Sequence, residues 1–271
     1  MRAKTPPTAL TIAGSDSGGG AGIQTDLRTF AACGVHGTCV ITAITAQNTR
    51  GVTDIHVVPV RTLRAQLHAV LDDFHVRAIK IGMLATPGIA REVAAVLQQY
   101  PHIRVILDPV LVATTGAHLA RRDLAGAMLR HLLDRAALVT PNIPEAERLL
   151  SRRIHDTHAM RDAAAALLAR GARAVLLKGG HLPGREISDL LLTPEGEHWF
   201  HQRRIRGEHH GTGCTLAAAI AAAIAHGTSL ETGVMQGIAF VQRALAAGYR
   251  PGKAALRVLN PLGAMDALNL R

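Results

Sequence analysis

ALTIAGSDSGGGAGIQTDLRTF, residues 9–30, runs from a short apolar segment through a glycine-rich turn into a segment with helical spacing. ALTIAG (9–14) is apolar without strict alternation, as a strand covered on both faces must be. The five glycines of 14–30 permit positive φ and close approach of backbone to a ligand, so the turn is either a flexible connection or a binding loop. Gln24 and Asp26 lie near the start of the following helix, close enough to face the strand end. The spacing is not that of the dinucleotide fingerprint, and the chain has no GxxxxGK-Ser/Thr loop.

The same unit recurs along the chain. CVITAIT (39–45), AIKIGM (78–83), RVILDPV (104–110), ALVTPN (137–142) and AVLLKGG (174–180) read as further buried strands. Segments 61–74, 87–100, 121–134 and 159–170 between them carry apolar residues at helical spacing. This alternation predicts an α/β sandwich with a largely parallel sheet. ISDLLLT (187–193) and EHWFHQRR (197–204) flank a Pro-Glu-Gly turn and read as an antiparallel edge hairpin. Two helices, 211–225 and 230–248, follow it. No internal repeat or low-complexity linker interrupts the pattern, so residues 1–271 are expected to form one domain.

Composition narrows the function. Aromatic residues make up only 3% of the chain, too few for the stacking platforms of single-stranded nucleic-acid binders. The net charge of +10 is dispersed, with acids among Arg61, Arg64, Arg77, Arg91 and Arg104, so a nucleic-acid partner is not expected. Cys33, Cys39 and Cys214 form no CxxC pair, which suits a reducing cytoplasm. No charge-free run of about 18 apolar residues is present, so no membrane partner is expected. The histidine pairs His155/His158 and His198/His201 lack the Cys or acid clusters of a transition-metal site.

Ligands of open α/β sheets bind outside the carboxyl ends of the strands. Those ends carry Gly14-Ser15-Asp16, Gly82-Met83, Asp108-Pro109, Thr140-Pro141-Asn142 and Lys178-Gly179-Gly180. Gly211-Thr212-Gly213-Cys214 opens an alanine-rich helix, where free N–H groups and the macrodipole make an anion site. Cys214 is either a small packing residue or a thiol whose pKa the helix terminus lowers, making it a base or a substrate contact. Asn142 and Glu145 form either an N-terminal cap or, with Asp108, a carboxylate site for hydrated Mg²⁺. Lys178 is placed to neutralise phosphate charge, and Gln47 either caps a strand or reads a polar heterocycle.

Taken together, residues 9–30, GVHGTCVITAITAQNTRGV (34–52), KIGML (80–84), VILDPV (105–110), LVTPNIPEA (138–146), LLKGGH (176–181) and HGTGCTLAAAIA (210–221) resemble the bacterial hydroxymethylpyrimidine/phosphomethylpyrimidine kinases of thiamine biosynthesis. The resemblance runs from about residue 8 to about 248. It implies a ribokinase-like fold: a three-layer α/β/α sandwich with a mostly parallel central sheet and a small β-element near the substrate. It implies ATP and Mg²⁺, with 4-amino-5-hydroxymethyl-2-methylpyrimidine phosphorylated first and its monophosphate second. By the same resemblance, Asp26 and Gln47 contact the pyrimidine, and Gly14, Met83 and Val110 line its pocket. Asp108 and Glu145 lie on the metal side, Asn142, Glu145 and Lys178 on the nucleotide side, and Gly211, Thr212 and Gly213 form the anion hole. Cys214 takes the position where many ribokinase relatives place an aspartate. The family usually reads Asn-Thr-His before this turn, whereas this chain reads Glu208-His209-His210, and the Gly-His-Gly-Pro type of C-terminal ending is absent. A pyridoxal/pyridoxine kinase is the neighbouring alternative on the same fold, and a non-catalytic pyrimidine sensor the more distant one. A homodimer is the usual expectation for a soluble enzyme.

Overall fold

A computed structural model of the chain describes residues 5–111 and 123–267. The first half contains β1 (Thr8–Asp16), α1 (Gly22–Ala32), β2 (His36–Asn48), β3 (Gly51–Val57), α2 (Val60–Leu71), β4 (Val76–Ile81), α3 (Pro87–Leu97) and β5 (Arg104–Leu107). Then come α4 (Leu124–His131), β6 (Leu138–Val139), α5 (Ile143–Leu150), α6 (Thr157–Ala169), β7 (Val175–Leu177), β8 (Glu186–Thr193) and β9 (Gly196–Arg203). The chain continues through β10 (His209–His210), α7 (Thr212–Ala225), α8 (Leu230–Ala246) and β11 (Arg257–Val258). The first two residues of the helix expected over 121–134 lie outside the described residues.

Nine strands form one sheet in the order β3-β2-β1-β4-β5-β6-β7-β8-β9. The six from β2 to β7 run parallel, and β3 and β8 run antiparallel to their inner neighbours. Side chains alternate across the parallel strands, and both faces are apolar. Leu10, Ile12, Ile79, Ile81, Val105 and Leu107 pack with α2 to α6, whereas Ala9, Ala78, Ile106, Leu138 and Leu176 pack with α1, α7 and α8. Burial on two faces is why these segments read as continuous apolar runs rather than alternating ones. The three-layer α/β/α sandwich with its mostly parallel sheet is thus the architecture expected from the sequence.

The alanines of α7 let it lie deep in one helical layer. Every residue from Thr215 to Ala225 is buried, between the sheet, α1 and α8. A bulkier side chain in that run would cost about 1–3 kcal/mol in overpacking. No helix among the described residues is long and apolar enough to cross a membrane.

Several elements differ from expectation, and the strands expected over 104–110 and 174–180 end at Leu107 and Leu177. The strand expected over 39–45 extends to Asn48 and folds back antiparallel onto β3, forming a ribbon at the sheet edge. β3 is half exposed and mixed in polarity, so it lacks the apolar signature of the buried strands. The strand expected over 137–142 shrinks to Leu138–Val139, because Pro141 has no N–H to donate to the ladder. The 187–193/197–204 hairpin is present as β8 and β9, closing between Thr193 and Gly196.

Candidate active site

β1 leads into α1 on one face of the sheet, and its neighbour β4 leads towards α3 on the other. The strand order therefore reverses between β1 and β4, and a crevice opens beyond their carboxyl ends. A cavity of about 610 Å³ occupies that rim. Gly14, Gln47, Met83 and Val110 line one part of it, as the family resemblance implies for a pyrimidine pocket. Asp108, Asn142, Glu145, Lys178 and the Gly211–Cys214 turn line the other.

The second part is a charge cluster. Lys178 Nζ donates to Asp108 Oδ1 at 2.9 Å and lies 3.9 Å from Glu145 Oε2. Thr140 Oγ1 donates to Asp108 Oδ1 at 3.2 Å. Asn142 and Glu145 form a reciprocal capping box on α5: the Glu145 N–H donates to Asn142 Oδ1 at 2.9 Å, and the Asn142 N–H donates to Glu145 Oε2 at 2.8 Å. The cap orients the Glu145 carboxylate, so capping and site-building are one arrangement rather than alternatives. Burial pushes the Glu145 carboxyl up to about 7; Lys178 opposes this and Asp108 adds to it. Burial would pull the Lys178 amine down, but Asp108 and Glu145 raise it overall, so it stays a cation.

Gly211 caps α7 at φ 85, a conformation that favours glycine, and no side chain caps this terminus. The first N–H groups of α7 are therefore open to an anion. Gly213 brings this turn against the charge cluster: a Cβ there would stand 3.0 Å from Lys178 Nζ.

Cys214 contradicts one expectation. Its thiol is pushed up to about 11 rather than lowered. Burial is the main cause, and the carboxylates of Asp26 and Asp108 add to it, outweighing the pull of Lys80 and of the Gly22 N–H. Cys214 is a thiol at neutral pH, because desolvation exceeds the help of a helix terminus.

Asp26 is not brought to the cavity wall. The first turns of α1 carry it inward, fully buried, where Oδ2 accepts from Thr11 Oγ1 at 2.6 Å and from Lys80 Nζ at 2.8 Å. Lys80, itself buried, lines the cavity and holds Asp26 behind it. Burial opposes the charge on Lys80, yet Asp26 and the other negative groups around it raise its pKa overall. The sequence reading missed Lys80, although a lysine inside the apolar strand AIKIGM was the available signal.

Asp16 and His210, which the sequence puts at the rim and at the GTGC turn without a role, also enter the site. The Asp16 carboxylate accepts the backbone N–H groups of Gly18, Gly20 and Ala21 at 2.8, 3.0 and 2.8 Å, shaping the glycine-rich loop. His210 is buried against it, on β10, which pairs with β11. His209, at the position where the family usually carries threonine, also lines the cavity; burial, then the nearby Arg257 charge, holds its pKa below the usual histidine value.

A family model described as phosphomethylpyrimidine kinase matches residues 16–259. The chain is 46% identical over 242 residues to the hydroxymethylpyrimidine/phosphomethylpyrimidine kinase of Haemophilus influenzae, covering 88% of this chain and 90% of that one. This chain belongs to the phosphomethylpyrimidine kinase family. It is also 46% identical over 257 residues to the thiamine biosynthesis bifunctional protein ThiED of Geobacter sulfurreducens, covering 94% of this chain. That protein is longer, and the match spans half its length. Among solved structures, the pyridoxal kinase of Staphylococcus aureus in complex with AMP-PCP and pyridoxal superposes with a TM-score of 0.88 at 30% identity, covering 98% of this chain and 96% of that one. The fold of this phosphomethylpyrimidine kinase family member is ribokinase-like.

Proposed function

We propose that this kinase transfers the γ-phosphoryl group of ATP first to the hydroxymethyl group of 4-amino-5-hydroxymethyl-2-methylpyrimidine and then to the phosphate of the product. One observation carries the reading: a single cavity joins a small, largely uncharged pocket to an uncapped helix terminus set beside Lys178. The pyrimidine lies against Gly14, Met83 and Val110, with Gln47 reading its polar edge and Lys80 as the charged floor. The γ-phosphoryl group lies between the α7 N-terminus and Lys178. In the first step the hydroxyl oxygen forms the new P–O bond and gives up its proton to the transferred phosphoryl oxygens or to water, while the β,γ-bridging P–O bond breaks and ADP leaves. In the second step a phosphate oxygen of the monoester is the attacking atom.

Positioning and charge stabilisation supply most of the rate in such transfers, and a loose transition state asks little of a base. That suits Cys214 as a neutral thiol beside the acceptor oxygen rather than as a resting thiolate. Asp108 and Glu145 fit Mg²⁺: two buried carboxylates share one lysine beside the uncapped α7 terminus. They would hold the ion largely through water and phosphate oxygens, as Mg²⁺ prefers. When bound, it would neutralise charge on the ATP phosphates.

A second reading, pyridoxal kinase, is favoured by the likeness to the S. aureus enzyme, and its acceptor is also a hydroxymethyl heterocycle. A coupled ATP assay with the pyrimidine alcohol, its monophosphate and pyridoxal side by side separates the two. Turnover of both pyrimidines supports the first reading, and turnover of pyridoxal alone the second. The protein is further proposed to work in the cytoplasm, where Cys33, Cys39 and Cys214 stay reduced, as a homodimer of the kind common among such enzymes.

A further inference from the structure

Asp16, His210 and Gln47 meet at one ring nitrogen. His210 Nε2 lies 3.2 Å from Asp16 Oδ2 and 2.9 Å from the side-chain amide of Gln47. The other end of that amide lies 3.2 Å from Thr45 Oγ1. Burial alone would raise the Asp16 carboxyl, but His210 and the loop N–H groups more than offset it and leave it lowered. An ionised carboxylate only accepts, so the hydrogen between Asp16 and His210 belongs to Nε2.

That assignment decides the amide. With the Gln47 nitrogen facing His210, two donors would meet. With its oxygen facing Thr45, that hydroxyl would need two hydrogens, because it already donates to the Ser15 carbonyl at 3.0 Å. Exchanging the two ends of the amide removes both conflicts, and amide ends are told apart only by their partners. Gln47 Oε1 then shares the one Nε2–H of His210 with Asp16 Oδ2 in a three-centre hydrogen bond, and the NH₂ donates to the Thr45 oxygen. The second amide N–H is left for a ligand in the cavity that Gln47 lines. The Gln47 backbone is equally fixed: its N–H donates to Ser17 Oγ at 2.8 Å, and Ser17 Oγ donates to its carbonyl at 2.8 Å.

We propose that Asp16 and His210 are positioning residues that lock the Gln47 amide with its N–H toward the substrate, so that Gln47 reads a hydrogen-bond acceptor on the heterocycle, an unprotonated ring nitrogen. This rests on the reading of Gln47 as a substrate contact. The lock selects a 4-aminopyrimidine, with a lone pair on the ring nitrogen beside the amino group, over its 4-oxo analogue, which carries N–H there. The β10–β11 pairing, His210 with Val258, holds the imidazole in place.

Long-range ¹H–¹⁵N NMR of the imidazoles in the full-length protein tests the lock without a ligand, with His210→Gln assigning the resonance. A proton on Nε2 supports the lock, and a neutral ring protonated only on Nδ1 overturns it. In the coupled assay, His210→Leu should raise the KM for the pyrimidine alcohol about tenfold, with kcat changed less than about threefold. It should also erode the preference over the 4-oxo analogue by about tenfold. His210→Gln, which keeps a donor near the Nε2 position, should recover most of both. An unaltered preference in His210→Leu overturns the positioning role. An unchanged KM in Gln47→Leu overturns the underlying substrate contact instead.

Discussion

Lys80 and Lys178 are both withdrawn from water at the carboxyl ends of parallel strands, yet they stand in different company. Lys80 is sealed in the cavity floor and meets one carboxylate, Asp26, at 2.8 Å. Lys178 stands on the phosphate side and meets two, Asp108 at 2.9 Å and Glu145 at 3.9 Å. The first pair matches one charge with one, although Asp26 Oδ1 is left without a hydrogen-bond partner among the described residues. The second cluster sets two carboxylates against one lysine, and burial, opposed by Lys178, raises the Glu145 carboxyl. A balanced buried pair supports shape, whereas an unbalanced one recruits a ligand.

The contrast can be broken from either side. Lys178→Met removes a charge that acts on the moving phosphoryl group, so kcat/KM in the coupled assay should fall by about 10³. A loss below about tenfold would place Lys178 with Lys80 as framework. Lys80→Met leaves Asp26 buried and unpaired, and should cost about 3–5 kcal/mol in urea unfolding. Adding Asp26→Leu should restore most of that loss, since a buried pair replaced by apolar groups is often close to neutral. Simple additivity of the two losses would show that the pair is not the unit that matters. The smallest effect is expected at Cys214, which lies between the two lysines electrostatically. As a thiol it cannot accept a proton, so Cys214→Ser should lower both phosphorylations similarly, by less than about tenfold. A loss of a hundredfold or more confined to the alcohol would instead assign the thiolate as its base.

Much of this layout was legible in the residues themselves. Two-sided burial wrote itself into apolar strand segments such as AIKIGM and AVLLKGG, and the Pro-Glu-Gly turn announced the edge hairpin. β3 carries the weaker pattern of a half-exposed strand, and β6 is shorter than its apolar segment because Pro141 has no N–H for the ladder. In the site, the strand ends and the GTGC turn pointed to one rim, since parallel topology gathers such ends automatically. The electrostatics did not follow from position along a helix. The Cys214 thiol is set by burial and by Asp26 and Asp108, all supplied by distant parts of the chain. Asp26 looked like a reader because it lies near the α1 start, but Thr11 and Lys80 draw it behind the wall. His210 sat within the quoted motif, yet its partners, Asp16 and Gln47, lie 194 and 163 residues away in sequence.

The most direct test of the central claim follows phosphorus through both steps. With the pyrimidine alcohol and excess ATP, ³¹P NMR of a single reaction should show a phosphate monoester first and then its conversion to a diphosphate. Accumulation of the monoester without any diphosphate, or reaction with pyridoxal but not with the pyrimidine, would contradict the assignment of both transfers to this one cavity.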